Sequence, residues 1–180
     1  MRKQGTFMRV ITLATFVACG IAGASASEWK KFTLATPYLA IEVPDTPKKI
    51  VRHTASFLGD IATEEYLVND GSDAYSVEVT ELPGFALIFA GPDTLYEHTK
   101  GALLKKTLSR VISFTDITLN GVKGKRLVYD TPTKPGHAEM QGEARMFLSG
   151  DWLYVADAVV EMKGGDKKQE RFFSSLAIKK

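Results

Sequence analysis

Cysteine is nearly absent: the 180 residues hold one, Cys19, and it lies in the first 26. The rest of the chain has no thiol for a disulfide, a thiolate nucleophile or a cysteine metal site. Histidine is scarce too. His53, His98 and His137 form no H-E-x-x-H motif and no pair spaced for one helix face, so zinc, which needs three or four converging ligands, finds no motif. An excess of one charge is also missing. Bases and acids number 23 and 21, but Arg2, Lys3 and Arg9 precede residue 27 and no acid does. Without those three the body is one acid in excess, which offers no sustained basic surface to a nucleic acid. There is no internal repeat, low-complexity tract, G-x-S-x-G elbow or phosphate-loop spacing. No cofactor is expected.

The one long apolar run is N-terminal. A basic start leads into Val10–Ala18, then small residues accumulate up to Ala24-Ser25-Ala26, the A-x-A pattern of signal-peptidase cleavage. Thr12, Thr15, Gly20 and Gly23 interrupt the run, making it too weak for a stable membrane span. Residues 1–26 are therefore expected to be a cleaved export signal and the mature chain to be periplasmic, with no transmembrane span. Phe16-Val17-Ala18-Cys19 partly resembles a lipobox, so a lipid anchor at Cys19 is the alternative. What remains is about 150 residues, close to one domain, and residues 27–180 are expected to form it.

Hydrophobic periodicity supplies the elements. Leu39–Val43 alternates as a strand and Pro44 stops it, while Lys49–Ser56 is a weaker strand. Ile61–Val68 and Ala74–Glu81 flank Asn69-Asp70-Gly71-Ser72 as a hairpin. Tyr75, Val77 and Val79 share one face of its second arm, and Ser76, Glu78 and Thr80 share a wet one. Thr94-Leu95-Tyr96-Glu97 is a capping-box pattern behind the breakers Gly91, Pro92 and Asp93. A helix is expected from there, with Tyr96, Leu103, Leu104, Leu108 and Val111 on its apolar arc and His98, Lys105 and Ser109 opposite. Strands follow at Ile112–Leu119 and Lys125–Asp130, then a loop through His137, then a hairpin of Glu139–Leu148 and Trp152–Met162. A short helix from Asp166 to about Leu176 is expected to bury Phe172, Phe173 and Leu176. Strands on both sides of one long helix make the fold class α+β: an antiparallel sheet flanked by helices, an α/β/α sandwich.

Reactive groups are sparse in this pattern. Glu64 and Glu65 are adjacent in a strand, so they point to opposite faces and cannot share a substrate; both read as solvated structural residues. Ser109, Ser174 and Ser175 lack a nucleophile elbow. The clusters Lys48-Lys49-Arg52 and Lys123-Lys125-Arg126 read as solvated faces that would steer an acidic partner if they shared a side. The uncharged segment Leu82–Ala90 has two readings. Its aromatics pack under the long helix, or they form an exposed apolar lip for a partner or lipid, with Phe85, Leu87 and Phe89 as contact residues.

The opening Leu39-Ala40-Ile41-Glu42-Val43-Pro44, the hairpin Arg145–Tyr154 and the closing Arg171-Phe172-Phe173-Ser174-Ser175-Leu176 carry a wider resemblance. Over the whole mature chain this rhythm resembles the PsbP-like fold, shared by PsbP, an extrinsic subunit of photosystem II, and by the Ran-binding Mog protein. Bacterial periplasmic and envelope proteins of unassigned role also carry it. The resemblance implies a helix–sheet–helix domain that assembles with or assists other proteins rather than a catalyst. The expectation is thus a non-enzymatic accessory or binding domain for an envelope protein complex. A carrier of a small apolar ligand or lipid, with Phe85, Leu87 and Phe89 as pocket walls, is the first alternative. A hydrolase with an unrecognised site is the second.

Overall fold

The computed structural model describes residues 28–56, 59–132 and 138–179. Residues 1–27, with the expected leader and Cys19, and residues 133–137, with His137, lie outside the described residues. The elements in chain order are β1 (Lys30–Leu34), β2 (Leu39–Val43), β3 (Lys48–Ser56), β4 (Gly59–Asp70), β5 (Asp73–Glu81) and α1 (Ala86–Thr107). They continue with β6 (Arg110–Leu119), β7 (Val122–Asp130), β8 (Met140–Ser149), β9 (Trp152–Glu161), α2 (Asp166–Ser174) and β10 (Ala177–Ile178).

Seven strands form one antiparallel sheet in the order β3-β4-β5-β9-β8-β7-β6. The central strand explains the layering. Leu153 and Val155 are buried on one face of β9, and Tyr154, Ala156, Ala158 and Val160 on the other. A strand apolar on both faces needs cover on both. On one side α1 lays Leu95, Tyr96 and Leu103 over Leu127, Ala144, Met146, Leu153 and Val155. On the other, α2 buries Phe172 and Phe173 beside a second, three-stranded sheet of order β1-β2-β10. The architecture is α+β, with helices on both faces of the main sheet as the periodicity implies. The small sheet is an addition: β1 and β10 carry too little alternation to announce themselves, and both exist by pairing with β2.

The long helix departs from expectation at both ends. It starts at Ala86, inside the uncharged segment Leu82–Ala90 and ahead of the expected start at Thr94, and breaks at Gly91, whose φ of 71° and ψ of 160° are not helical. Pro92 follows as the first residue of the second segment, where its missing N–H costs nothing. Thr94 therefore lies within the helix and does not start it. The helix ends at Thr107, so Leu108 is an exposed left-handed cap and Val111 belongs to β6. Among the described residues no helix is long and apolar enough to cross a membrane.

Candidate functional site

Where α1 leaves the apolar half of the sheet, a cleft opens. Apart from Ile61, the side chains that β3, β4 and β5 present to the cleft are polar or charged, Arg52, Thr54, Thr63, Glu65, Glu78 and Thr80, and do not pack a helix tightly. The cleft has a volume of about 530 Å³ between that polar stretch and one side of α1. Leu82, Leu95, Leu103, Leu153 and Val155 form its apolar part, and Arg52, Glu78, His98 and Lys106 its ionisable rim. Its polar lining is largely self-satisfied. Thr63 and Thr80 share a hydrogen bond of 2.8 Å, and the Thr99 hydroxyl donates to the Leu95 carbonyl at 2.8 Å.

Beneath the rim sits a buried carboxylate. Glu65 Oε2 accepts from Arg52 Nε at 2.8 Å and Nη2 at 2.5 Å, and Oε1 accepts from Lys106 at 2.7 Å. Burial alone would raise its pKa, but the hydrogen bonds from Lys106 and Arg52 outweigh burial and hold it below the ordinary value. Lys106 also reaches Glu78 at 3.1 Å. Burial pulls its ammonium down, and the two carboxylates more than restore it, so its pKa is raised. Two cations and two carboxylates leave this cluster neutral. Deeper in the same layer, Tyr129 donates to the buried Asp157 at 2.8 Å.

Several expectations are corrected here. Glu64 and Glu65 do point to opposite faces, but Glu65 is buried and ion-paired rather than solvated. Glu64 pairs with Lys49 at 2.7 Å on the far face. The side of β5 read as wet lies largely under cover, with Ser76 and Thr80 buried. The two basic clusters are not one patch, since β3 edges the sheet and β7 lies five strands away. Their cations are largely paired: Lys49 and Arg52 as above, Lys125 with Asp116 at 2.6 Å, Arg126 with Glu143 at 2.6 Å. Sequence reading missed these pairs because each joins two neighbouring strands through a register that no local spacing records.

The serine hydroxyls are occupied with backbone. Ser175 Oγ accepts from the Glu42 N–H and donates to the Phe172 carbonyl, while Ser174 and Ser109 donate to the carbonyls of Arg171 and Thr107. His53 meets Asp60 at 3.1 Å at the exposed sheet edge, and His98 lies on the cleft rim. Among the described residues no group of three His, Cys, Asp or Glu side chains is placed to hold a metal ion.

The segment Leu82–Ala90 is a turn that runs into the first turn of α1. Leu82 and Ala86 are buried anchors, whereas Phe85, Ile88 and Phe89 project outward, 46%, 81% and 79% exposed. The rings of Phe85 and Phe89 meet edge to face with centroids 6.0 Å apart, and Leu87 is half-buried against the α1 core. Phe85, Leu87 and Phe89 are absent from the cleft lining, which takes Leu82 instead. Phe85 and Phe89, with Ile88, form a step on the outside of the molecule, and none of the three expected pocket walls borders that cleft.

No protein-family profile matches the chain, and no curated protein matches it by sequence. Structural comparison gives cyanobacterial PsbP (CyanoP) of Synechocystis sp. PCC 6803 at a TM-score of 0.57 and 12% identity, over 87% of this chain and 96% of that one. The chain carries the PsbP-like fold. A Bacteroides thetaiotaomicron VPI-5482 protein follows at a TM-score of 0.48 and 10% identity, over 84% of this chain and 48% of that one. A Pseudomonas aeruginosa protein of unknown function reaches 0.38 at 9% identity, over 78% of this chain and 88% of that one. At this identity the PsbP-like match shows the fold alone; it assigns no role to the step or to the cleft.

Proposed function

We propose that this PsbP-like domain is an exported, non-catalytic accessory module that docks on a protein of the cell envelope through the step formed by Phe85, Ile88 and Phe89. The observation that carries the reading is the exposure of three large apolar side chains on successive turns whose backbone is fixed by the buried Leu82 and Ala86. Rigid, exposed aromatics are the usual anchors of a protein interface, because their ordering cost is low and their buried area large. Export rests on the leader, and a mass spectrum of the mature protein tests it: the expected N-terminus is Ser27, and a diacylglycerol adduct on Cys19 would replace that reading with lipid anchoring. Docking is tested by crosslinking in envelope extract and mapping the crosslinked residues. The wild type is expected to crosslink to one defined partner from residues 85–89, and Phe85→Asp and Phe89→Asp to lose it while melting normally. Retention of the same partner by both variants refutes docking through the step.

The cleft supports a second reading, as a carrier of a small apolar ligand. Its volume falls within the range of roughly 300–1,000 Å³ typical of ligand pockets. Its polar groups are satisfied within the protein, which suits an apolar guest. Decanol raising the melting temperature of the wild type, but not of Ala102→Trp at the cleft mouth, is the expected result on this reading; no shift in either disposes of it.

A further inference from the structure

On the α2 side of the main sheet, two arginines face each other. Arg126 of β7 and Arg145 of β8 are direct cross-strand partners, so their side chains leave the sheet on the same face. Like charges directly opposite one another destabilise a strand pair. Among the described residues one carboxylate answers them: the buried Glu143 accepts from Arg126 Nη2 at 2.6 Å and from Arg145 Nε at 2.8 Å. In contrast to the neutral cluster around Glu65, this one carries a net positive charge.

Both guanidinium groups are held in place. Arg145 also stacks over the Phe173 ring, 4.3 Å from its centroid, and neither arginine is more than half exposed. Donor groups beyond those given to Glu143 remain on each, in the planar fork that matches a carboxylate. The two arginines line one small cavity of about 280 Å³ together with Thr118 and an apolar wall of Ile117, Leu119, Phe147 and Leu176. No acidic residue is part of that lining. Two fixed cations beside an apolar wall define the missing partner: one negative charge attached to a compact apolar group.

We propose that the cavity between Arg126 and Arg145 binds a carboxylate carried by a compact apolar group, either a free small acid or the C-terminal residue of a polypeptide. The carboxylate would sit against the two guanidinium groups and neutralise the excess charge, and the apolar group would cover Phe147 and Leu176. The site lies on the sheet face opposite α1, so it stands or falls independently of docking through the Phe85–Phe89 step.

The test titrates the whole mature protein with benzoate, benzamide, N-acetyl-leucine, N-acetyl-leucinamide and inorganic phosphate, following the arginine side-chain resonances by NMR and the affinity by calorimetry. Saturable binding of at least one acid is expected, at a Kd of about 1 mM or tighter, which corresponds to roughly −4 kcal/mol. Whichever acid binds should exceed its own amide, N-acetyl-leucinamide or benzamide, by at least tenfold. Benzoate binding without N-acetyl-leucine binding identifies the free-acid source, and the reverse identifies the chain terminus. Arg145→Lys keeps the charge and removes the fork, and should weaken the acids at least fivefold with a near-normal melting temperature. If that variant does not fold, the comparison of acid with amide on the wild type decides alone. No saturable binding by either acid, equal binding of acid and amide, or tighter binding of phosphate overturns the proposal.

Discussion

The Tyr129 hydroxyl donates to Oδ1 of the buried Asp157 at 2.8 Å inside the layer between α1 and the sheet. The contact depends on a missing side chain. Gly142 is the cross-strand partner of Tyr129, and a β-carbon there would come within 2.0 Å of the ring. The ring lies across the glycine, and its hydroxyl reaches past Ala144 to the next strand.

Burial pushes the Asp157 carboxyl up to about 7, against the pull of the Tyr129 hydrogen bond. The charged groups around it are Glu78 of β5 and Glu65 of β4, which add to the rise, and Lys106 of α1, which opposes it. The folded state thus holds a proton that the unfolded state releases near its ordinary value of 3.8. The stability it contributes is complete below that value and is lost as pH rises through about 7. One such group changes stability by at most about 1.4 kcal/mol per pH unit. Urea midpoints of the wild type should therefore fall between pH 5 and 7.5, and those of Asp157→Asn should fall less steeply. Parallel profiles for the two proteins would show that Asp157 does not titrate in this range.

Glu65 has the opposite sign. Its pKa is lowered because Lys106 and Arg52 outweigh the cost of burial, so its contribution is present above the ordinary value of 4.5 and is lost as pH falls through the lower, folded one. Glu65→Gln should cost about 1–3 kcal/mol at neutral pH, less than for a fully enclosed pair since Arg52 and Lys106 are half exposed. The same variant should lose less stability than the wild type between pH 5 and 3. Chemical denaturation at both pH values separates these effects.

Two tyrosines distinguish a bonded hydroxyl from an unbonded one. Tyr129 serves Asp157, while the Tyr75 hydroxyl is buried on the other face of the sheet with no hydrogen-bond partner among the described residues. Tyr129→Phe strips a buried carboxyl of its donor and should cost about 1–3 kcal/mol. Tyr75→Phe keeps the ring against Trp29 and Phe172 and removes only the hydroxyl. Its melting temperature should match or exceed that of the wild type, and a drop comparable to that of Tyr129→Phe would contradict this account.

Much of this fold was legible because apolar periodicity is local. The alternation in Leu39–Val43 and Ala74–Glu81, the turn at Asn69-Asp70-Gly71-Ser72, and the closing Phe172-Phe173 each specify an element within about ten residues. The cleft was not legible. It exists because Thr63, Glu65, Glu78 and Thr80 come together from two strands beneath α1, and no local pattern records that α1 lies over them. The like-charge pair Arg126 and Arg145 was hidden for the same reason, since register, not spacing, sets it opposite. Gly91-Pro92 was seen, but a chain break and a kink between two helical segments look the same in sequence. What separates them is the burial of Leu82 and Ala86, a tertiary fact.

That kink sets opposite expectations for one substitution at two glycines. Gly91 has φ 71° and ψ 160°, a region almost confined to glycine, and nothing lies within 4 Å of where its β-carbon would be. The penalty for Gly91→Ala is therefore backbone strain alone, about 1–3 kcal/mol. Gly101 lies inside the second segment of α1, also with open space around it and without a positive φ. There the change removes chain entropy from the unfolded state, so Gly101→Ala should stabilise by about 0.5–1 kcal/mol. For a chain of this length 1 kcal/mol corresponds to roughly 2–4 °C, so calorimetry should resolve a fall for Gly91→Ala and a rise for Gly101→Ala. Because the kink also fixes the direction of the first segment, Gly91→Ala should change the chemical shifts of Phe85 and Phe89, and Gly101→Ala should leave them in place. Equal melting temperatures with unchanged aromatic resonances would mean that α1 runs through Gly91 without a break.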